Sequence, residues 1–304
     1  MRAPGDWEIV AVYAHDASFP EFLSRAARSN VTAVRCDLTD SQQIRDMVEH
    51  HGRQWDCCLY LSGWVDIPGS VKHPGQDLIV NTGSLLNLLD ELRTDRFIYM
   101  SSGAVYEGLS GEVHPGLPLN PTLPYAISKL ASEQYVQCYC ERLRTIDSFV
   151  LIRFFGAYGP YEATHKIYGR LIRSFALDGK NSYTVYGDGS NLIDAMYIDD
   201  AIDALQRIVT ADRRNEIIDL AAGHPLPIEV LVRKVASILG GTSVHLDKQG
   251  IAHEKNLFWG STKMMREHYG FEPKVTLDEG VRKFLTFLTA ARERELFRVG
   301  TQKN

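Results

Sequence analysis

Ile98-Tyr-Met-Ser101-Ser102-Gly-Ala-Val-Tyr106, followed by Tyr125-Ala-Ile-Ser-Lys129, is the stretch on which the reading of this chain turns. An apolar run over 97–100 leads straight into two serines and a glycine turn. In a parallel sheet the carboxyl ends of the strands face the ligand crevice, so hydroxyls placed there meet what binds. The proline at 124 suits the first turn of a helix. On that helix Tyr125 and Lys129 stand about one turn apart and share a face. An ammonium beside a phenol favours the phenolate, so the pair predicts a lowered tyrosine pKa. Such a tyrosine exchanges a proton with a carbinol oxygen near neutral pH. Ser102 precedes Tyr125 by 23 residues, enough for the chain to loop out and return on the next helix. From there the serine can donate to the same oxygen. Taken singly, each motif has an ordinary reading, a surface Tyr-Lys pair or a serine turn; their succession points to a reacting site.

On both sides β-rich runs alternate with helical patterns. Strands are expected over 9–13, 31–35, 56–61, 97–100 and 149–155, and helices over 20–28, 41–50, 77–92 and 124–144. This alternation predicts an α/β protein with a doubly wound parallel sheet and right-handed crossovers. Past Pro160 the texture changes. Helices are expected over 167–177, 199–209, 226–239, 262–269 and 277–292, with a short strand and turn over 183–189 and a strand over 217–220. The expected organisation is a dinucleotide-type domain over 1–160, to which 217–222 returns, and a smaller interleaved substrate lobe over 161–304.

Composition narrows the classes. The formal charge of −5 argues against a nucleic-acid partner, which needs a basic face. No apolar run reaches the roughly 18 residues of a membrane span, and the start has no charged-then-apolar signal layout. The five cysteines have no metal-like spacing, so no metal site is expected, and reduced cysteines in a cytoplasmic protein are the simplest account.

With these pieces in order, the chain resembles the extended short-chain dehydrogenase/reductases, in particular the NAD-dependent nucleotide-sugar epimerase/dehydratase family. The resemblance implies a Rossmann-like fold and runs almost end to end. Cys36-Asp37-Leu38 resembles the strand-end motif that meets the adenine, and Leu61-Ser62-Gly63 the small-residue loop under the cofactor. Asn81, with Leu88-Leu89, resembles the segment that buttresses the site. Arg153-Phe154-Phe155-Gly156 through Pro160 resembles the strand and loop beside the nicotinamide. Gly187-Asp-Gly189 with Asp194 and Tyr197-Ile-Asp199-Asp200 resembles the substrate-lobe signature, and Gly270-Phe-Glu-Pro273 the approach to the closing helix. The resemblance implies Ser102, Tyr125 and Lys129 as catalytic, with Lys129 also holding the nicotinamide ribose. It implies Asp37, Leu38, Leu61, Ser62, Gly63, Asn81, Ser101, Tyr125, Lys129 and Phe155 against NAD. Ser102, Gly156, Tyr186 and Asp194 would meet a nucleotide-sugar substrate. A homodimer built on the helices over 78–92 and 125–143 is also implied.

The departures from the family pattern carry information. No Gly-x-x-Gly-x-x-Gly or Gly-x-Gly-x-x-Gly occurs, although that turn lets a backbone approach the pyrophosphate at a helix N-terminus. The strand over 9–13 matches the family's second, so the first strand is expected to be missing, roughly 25 to 30 residues by analogy with the motif's layout. A start placed too late is one explanation, and a chain that has lost the motif is the other. Tyr13 stands where an acid would bind the ribose 2′-hydroxyl; Asp16 is displaced, and His15 could tolerate a 2′-phosphate, so NADP stays open beside NAD. Gly103 and Ala104 replace the Asp-Glu pair of sugar 4,6-dehydratases, which removes the proton shuttle of elimination. Ile193 replaces an arginine that clamps the substrate diphosphate, and Gly156 an asparagine. Lys166, Arg170 or Arg173 could contact phosphate instead. The expectation is an epimerase or ketoreductase acting at C4 of a nucleotide sugar. The alternative is a non-catalytic relative that keeps the fold as a binding or assembly module.

Overall fold

A computed structural model describes residues 7–16, 18–26, 28–241, 243–250 and 255–301, with side chains to 292. The expected helix over 20–28 includes residue 27, which lies outside the described residues. Two compact units divide the chain. The described residues up to Glu107, together with Leu119–Arg153 and Val209–Ile218, form the first; Gly108–Pro118, Phe154–Ile208 and the described residues from Asp219 onward form the second.

The first unit opens with β1 (Ile9–Tyr13), α1 (Phe19–Arg25) and β2 (Val31–Arg35), the two strands pairing in parallel from Ile9↔Val31 to Tyr13↔Arg35. Helix α2 (Ser41–His51) starts at Asp40, whose carboxylate accepts from the Gln42 and Gln43 amides, an N-cap that satisfies donors the helix cannot use. Its Ile44 and Val48, four residues apart, are buried. After β3 (Gln54–Tyr60) come α3 (Ile67–Lys72), α4 (Pro74–Leu78), one π-helical turn (Ile79–Gly83) and α5 (Ser84–Glu91). β4 (Arg93–Ser102), α6 (Pro124–Glu141), β5 (Phe149–Phe154) and β6 (Glu216–Leu220) complete the unit's framework.

Four strands form a parallel sheet in the order β6-β5-β4-β3, with Cys58 opposite Phe97 and Tyr60 opposite Tyr99. β5 is buried at Phe149 through Arg153, as its unbroken apolar run requires of a strand covered on both faces. The doubly wound sheet is therefore present, but in two pieces. The β1–β2 pair shares no ladder with the four-stranded sheet, so β1 and β3 each keep an edge without a strand neighbour among the described residues. No residue of β1 is fully buried, and Val12 is 40% exposed despite an Ile-Val-Ala-Val-Tyr sequence suited to an interior strand. The core lies between the four-stranded sheet and its helices. Ile44 of α2, Leu85 and Leu89 of α5, Phe97 and Tyr99 of β4, Val136 of α6 and Leu151 of β5 are packed in one cluster. Each such side chain contributes about 1.5–3 kcal/mol by leaving water.

The second unit has its own core. Tyr158 and Tyr168 stack with ring centroids 3.9 Å apart, among Leu171, Leu231, Val235, Val281 and Phe284. Its small parallel pairs join Ser182–Tyr186 to His245–Gln249 and Leu257–Gly260 to Ser110–Val113. Neither His245–Gln249 nor Ser110–Val113 has an apolar alternation, which is why sequence patterning does not reveal them. Among the described residues no helix is long and apolar enough to cross a membrane.

Candidate active site

Ser101 and Ser102 end β4, and the chain turns through one 3-10 turn, Gly103–Tyr106. Ser102 Oγ accepts from the Ala104 amide at 3.1 Å, which caps this turn and fixes the hydroxyl at the strand tip. Pro124 sits in the first turn of α6 and directs Tyr125 and Lys129 inward, 5% and 3% exposed. The Tyr125 amide, an unpaired donor of that first turn, is satisfied by Ser70 Oγ at 3.3 Å. Ser102 is a side-chain hydrogen-bond partner of the Tyr125 phenol. Lys129 Nζ donates to the Met100 carbonyl at 3.0 Å and stands over the Tyr99 ring, 4.9 Å from its centroid. The three residues expected to react are thus brought together.

The electrostatics correct one expectation. The Tyr125 phenol titrates above, not below, its ordinary value: burial raises it, the Ser102 hydrogen bond acts against this, and the Asp77 charge raises it further. Desolvation of the phenolate is the largest of these effects. The Lys129 amine is pulled down to about 8 by burial, with Asp77 and Glu133 holding it up.

Asn81 is the centre of the π-helical turn, whose five-residue hydrogen bond runs from the Ser84 amide to the Ile79 carbonyl. Such single turns insert one residue into a helix and re-aim a side chain. Here Asn81 Oδ1 accepts from the Trp64 amide at 2.8 Å, while Nδ2 donates to the Trp64 carbonyl at 3.1 Å and to Asp77 Oδ1 at 2.7 Å. This clamps the loop after β3 onto the helix. A Cβ on Gly63 would lie 2.8 Å from Asn81 Oδ1 and 3.3 Å from Lys129 Nζ, so only glycine fits between them. Ser62 approaches Tyr60 as a hydrogen-bond partner, whereas Leu61 is 56% exposed.

One turn past Lys129 on α6 begins a buried ionic network that sequence reading missed. Arg153 of β5 donates to both oxygens of Glu133 on α6, the shortest contact being 2.7 Å, and to the Tyr106 hydroxyl at 3.0 Å. Ser101 Oγ donates to Glu133 Oε1 at 2.5 Å. Burial works to lower the Arg153 pKa, but the hydrogen bonds and charge of Glu133 outweigh it and the pKa is raised. The signal was available: Tyr125, Lys129 and Glu133 follow one another at four-residue spacing on one face.

At the tips of β1 and β2, a cleft of about 350 Å³ is lined by Ala14, His15, Arg35, Asp37 and Gln43. Asp37 Oδ1 accepts from the Thr39 amide at 2.9 Å and hydroxyl at 2.8 Å, which hold its carboxyl below the usual range; His15 adds to this. Leu38 packs against the core.

The remaining candidates belong to the second unit. The Phe155 ring packs edge-on to Phe258, 6.1 Å between centroids. Gly156 has φ +130° and its carbonyl accepts from the Met196 amide at 3.1 Å, a conformation that suits glycine. Tyr186 is 65% exposed. Asp194 is buried, and its oxygens accept from the His224 amide at 3.3 Å and the Gly260 amide at 3.1 Å, so its carboxylate ties two loops of that unit together. Among the described residues no cluster of His, Cys, Asp or Glu could hold a metal ion.

A nicotinamide dinucleotide fits part of this arrangement. Lys129 makes a single hydrogen bond, which leaves two of its three N–H groups to meet a ribose diol. Gly63 keeps the loop backbone open beside it, and the Asp37 carboxylate gives the cleft a hydrogen-bond acceptor for an adenosine. No strand-to-helix glycine turn for the pyrophosphate occurs among the described residues.

A parallel α/β sheet with a serine-tyrosine-lysine cluster at its strand tips defines a short-chain dehydrogenase type of protein. Residues 3–221 match the model of the NAD dependent epimerase/dehydratase family, and the chain belongs to that family, a family of NAD-dependent enzymes. It is 25% identical over 266 residues to the dTDP-D-glucose 4,6-dehydratase of Mus musculus, covering 84% of this chain and 73% of the relative. It is likewise 25% identical to a putative UDP-glucose 4-epimerase of Methanocaldococcus jannaschii, covering 90% of each. In fold it is similar to the dTDP-glucose 4,6-dehydratase DesIV of Streptomyces venezuelae, with a TM-score of 0.82 at 21% identity, covering 95% of this chain and 89% of that one.

Proposed function

We propose that the protein oxidises and re-reduces a carbinol carbon of a nucleotide sugar, C4 by family analogy, with nicotinamide dinucleotide as its redox partner. The observation that carries this is the buried Tyr125 phenol, partnered by Ser102 and one helical turn from an ammonium with unused donors. The dinucleotide, when bound, supplies the hydride chemistry. Ser102 donates to the substrate oxygen, Tyr125 takes up or returns its proton, and Lys129 holds the ribose and the positive charge that a phenolate needs. The buried site excludes water from these groups. With re-reduction on the same cofactor the product is the epimer; with cofactor exchange the enzyme is a 4-ketoreductase. Ala104 offers no carboxylate where dehydrating relatives carry one, which favours epimerisation or reduction over elimination. Asp37, Leu38, Ser62, Gly63, Asn81 and Phe155 would line the cofactor, and Gly156 and Tyr186 would meet the sugar nucleotide. We also propose a homodimer: Leu78 and Ile79 beside Ile127 and Tyr135 are half-exposed apolar residues on the neighbouring helices α4 and α6 and the π turn between α4 and α5.

The test is direct. The protein is incubated with NAD and, separately, UDP-glucose, UDP-N-acetylglucosamine or dTDP-glucose, and the products are resolved by NMR. Interconversion at C4 that disappears in Tyr125→Phe is expected. A 4-keto-6-deoxy product from dTDP-glucose would overturn the assignment of reaction, and turnover unaffected by Tyr125→Phe would overturn the assignment of the acid/base.

A further inference from the structure

The interior next to the reacting pair holds a carboxylate that neither the sequence reading nor the mechanism above uses. Asp77, on α4, is fully buried. Its Oδ1 accepts from Asn81 Nδ2 at 2.7 Å and its Oδ2 from Ser128 Oγ at 2.6 Å. Both partners are neutral, and no described ion pair includes Asp77. A carboxylate kept in the interior without a bonded cation is costly, so such groups persist where they act on another charge.

We propose that Asp77 is a positioning residue of this site: its carboxylate fixes the Asn81 amide against the Trp64 backbone and, tied to Ser128, sets the charge around Lys129 beside Tyr125. The proposal deepens the reading that Tyr125 and Lys129 form the reacting pair. A carboxylate only accepts hydrogen bonds, so Asn81 must turn its NH₂ to Asp77, which leaves its Oδ1 for the Trp64 amide. That orientation holds the Gly63 backbone between Asn81 Oδ1 and Lys129 Nζ. The second role follows from the charges around the Lys129 amine. From β4 it meets the Met100 carbonyl and the face of Tyr99. On its own helix the titratable neighbours are Tyr125 and Glu133. Glu133 is bound to the Arg153 guanidinium at 2.7 Å, and that pair carries no net charge. Asp77 therefore remains as the uncompensated negative charge acting on Lys129, and the Ser128 hydroxyl ties it to α6 one residue before the lysine.

The sign of its effect is fixed. A nearby negative charge favours every protonated form of the coupled Tyr125–Lys129 pair, so removing it lowers both apparent pKa values of the pair. The measurement is the 13C NMR titration of lysine Cε in the protein without added substrate, with the Lys129 signal assigned by its loss in Lys129→Met. The wild type is expected to show a midpoint near 8. Asp77→Asn, which keeps the shape and removes the charge, is expected to move it down by about one pH unit. Ser128→Ala, which keeps the charge and removes one hydrogen bond, is expected to leave it within a few tenths. Asp77→Ser replaces Asp77→Asn if the latter does not fold. A midpoint unchanged without the carboxylate, or moved equally far by Ser128→Ala, overturns the proposal. The titration needs no turnover, so a wild type that converts no nucleotide sugar refutes the proposed function and leaves this test standing. Where turnover is observed, both limbs of its pH profile move to lower pH in Asp77→Asn, whereas a purely structural loss lowers its height alone.

Discussion

Lys129 is held in a site that resists its charge. Its amine titrates near 8 when folded against 10.5 for an unburied lysine. Between these values the unfolded chain binds the extra proton, so stability rises with pH across that window and is constant below it. The gap amounts to a stability penalty on the order of 3 kcal/mol at neutral pH. Compared with Lys129→Met, the wild type should therefore gain stability as pH rises from about 8 to 10.5, a slope that denaturant melts of both proteins at several pH values would reveal. Parallel curves would contradict the depressed amine. The proposed function accounts for the penalty, because a methionine cannot donate to a ribose. Tyr125→Phe is expected to reduce turnover about 10²–10⁴-fold with little change in melting temperature, since the proposed function makes the phenol the general acid/base and its loss leaves the ring packed.

At the scale of elements, α6 and β5 are joined by Glu133 and Arg153, both almost without exposure. Removing one member leaves the other charge buried and unpaired, so Arg153→Met should cost about 3–5 kcal/mol in urea unfolding. Arg153→Met combined with Glu133→Leu should recover much of that loss, because an apolar pair is often as stable as the ion pair it replaces. The loop after β3 carries a second test. Gly63→Ala places a methyl group 2.8 Å from Asn81 Oδ1 and 3.3 Å from Lys129 Nζ, so it should displace one of them and weaken dinucleotide binding more than it lowers stability. Isothermal titration with NAD, beside a thermal melt, separates the two effects.

At the scale of the molecule, the exposed Leu78, Ile79, Ile127 and Tyr135 offer one apolar patch on the first unit. A second copy covering it predicts that Ile127→Lys with Tyr135→Lys converts a dimer to a monomer in sedimentation velocity, with each protomer still folded. The strands of the same unit are less completely paired. Among the described residues β1 and β3 each have an edge without a strand neighbour, and the Ile9–Tyr13 strand is only half covered, so amide exchange should be fast in β1 and slow in β5.

The alternation of apolar strands and helices, the strand ending in Ser101-Ser102 and the four-residue step from Tyr125 to Lys129 were legible in the sequence, because they are local: period, turn chemistry and helical spacing act over a few residues. The absence of a glycine-rich strand-to-helix turn from this sequence was legible too, since such a turn is a local pattern. The networks were not. Asp77 with Ser128, and Glu133 with Arg153 and Tyr106, join residues 20 to 51 positions apart, and no periodicity relates them. The direction of the Tyr125 pKa was likewise out of reach: spacing places an amine one turn away, but only packing shows how far the phenol is removed from water, and desolvation is the largest effect on it.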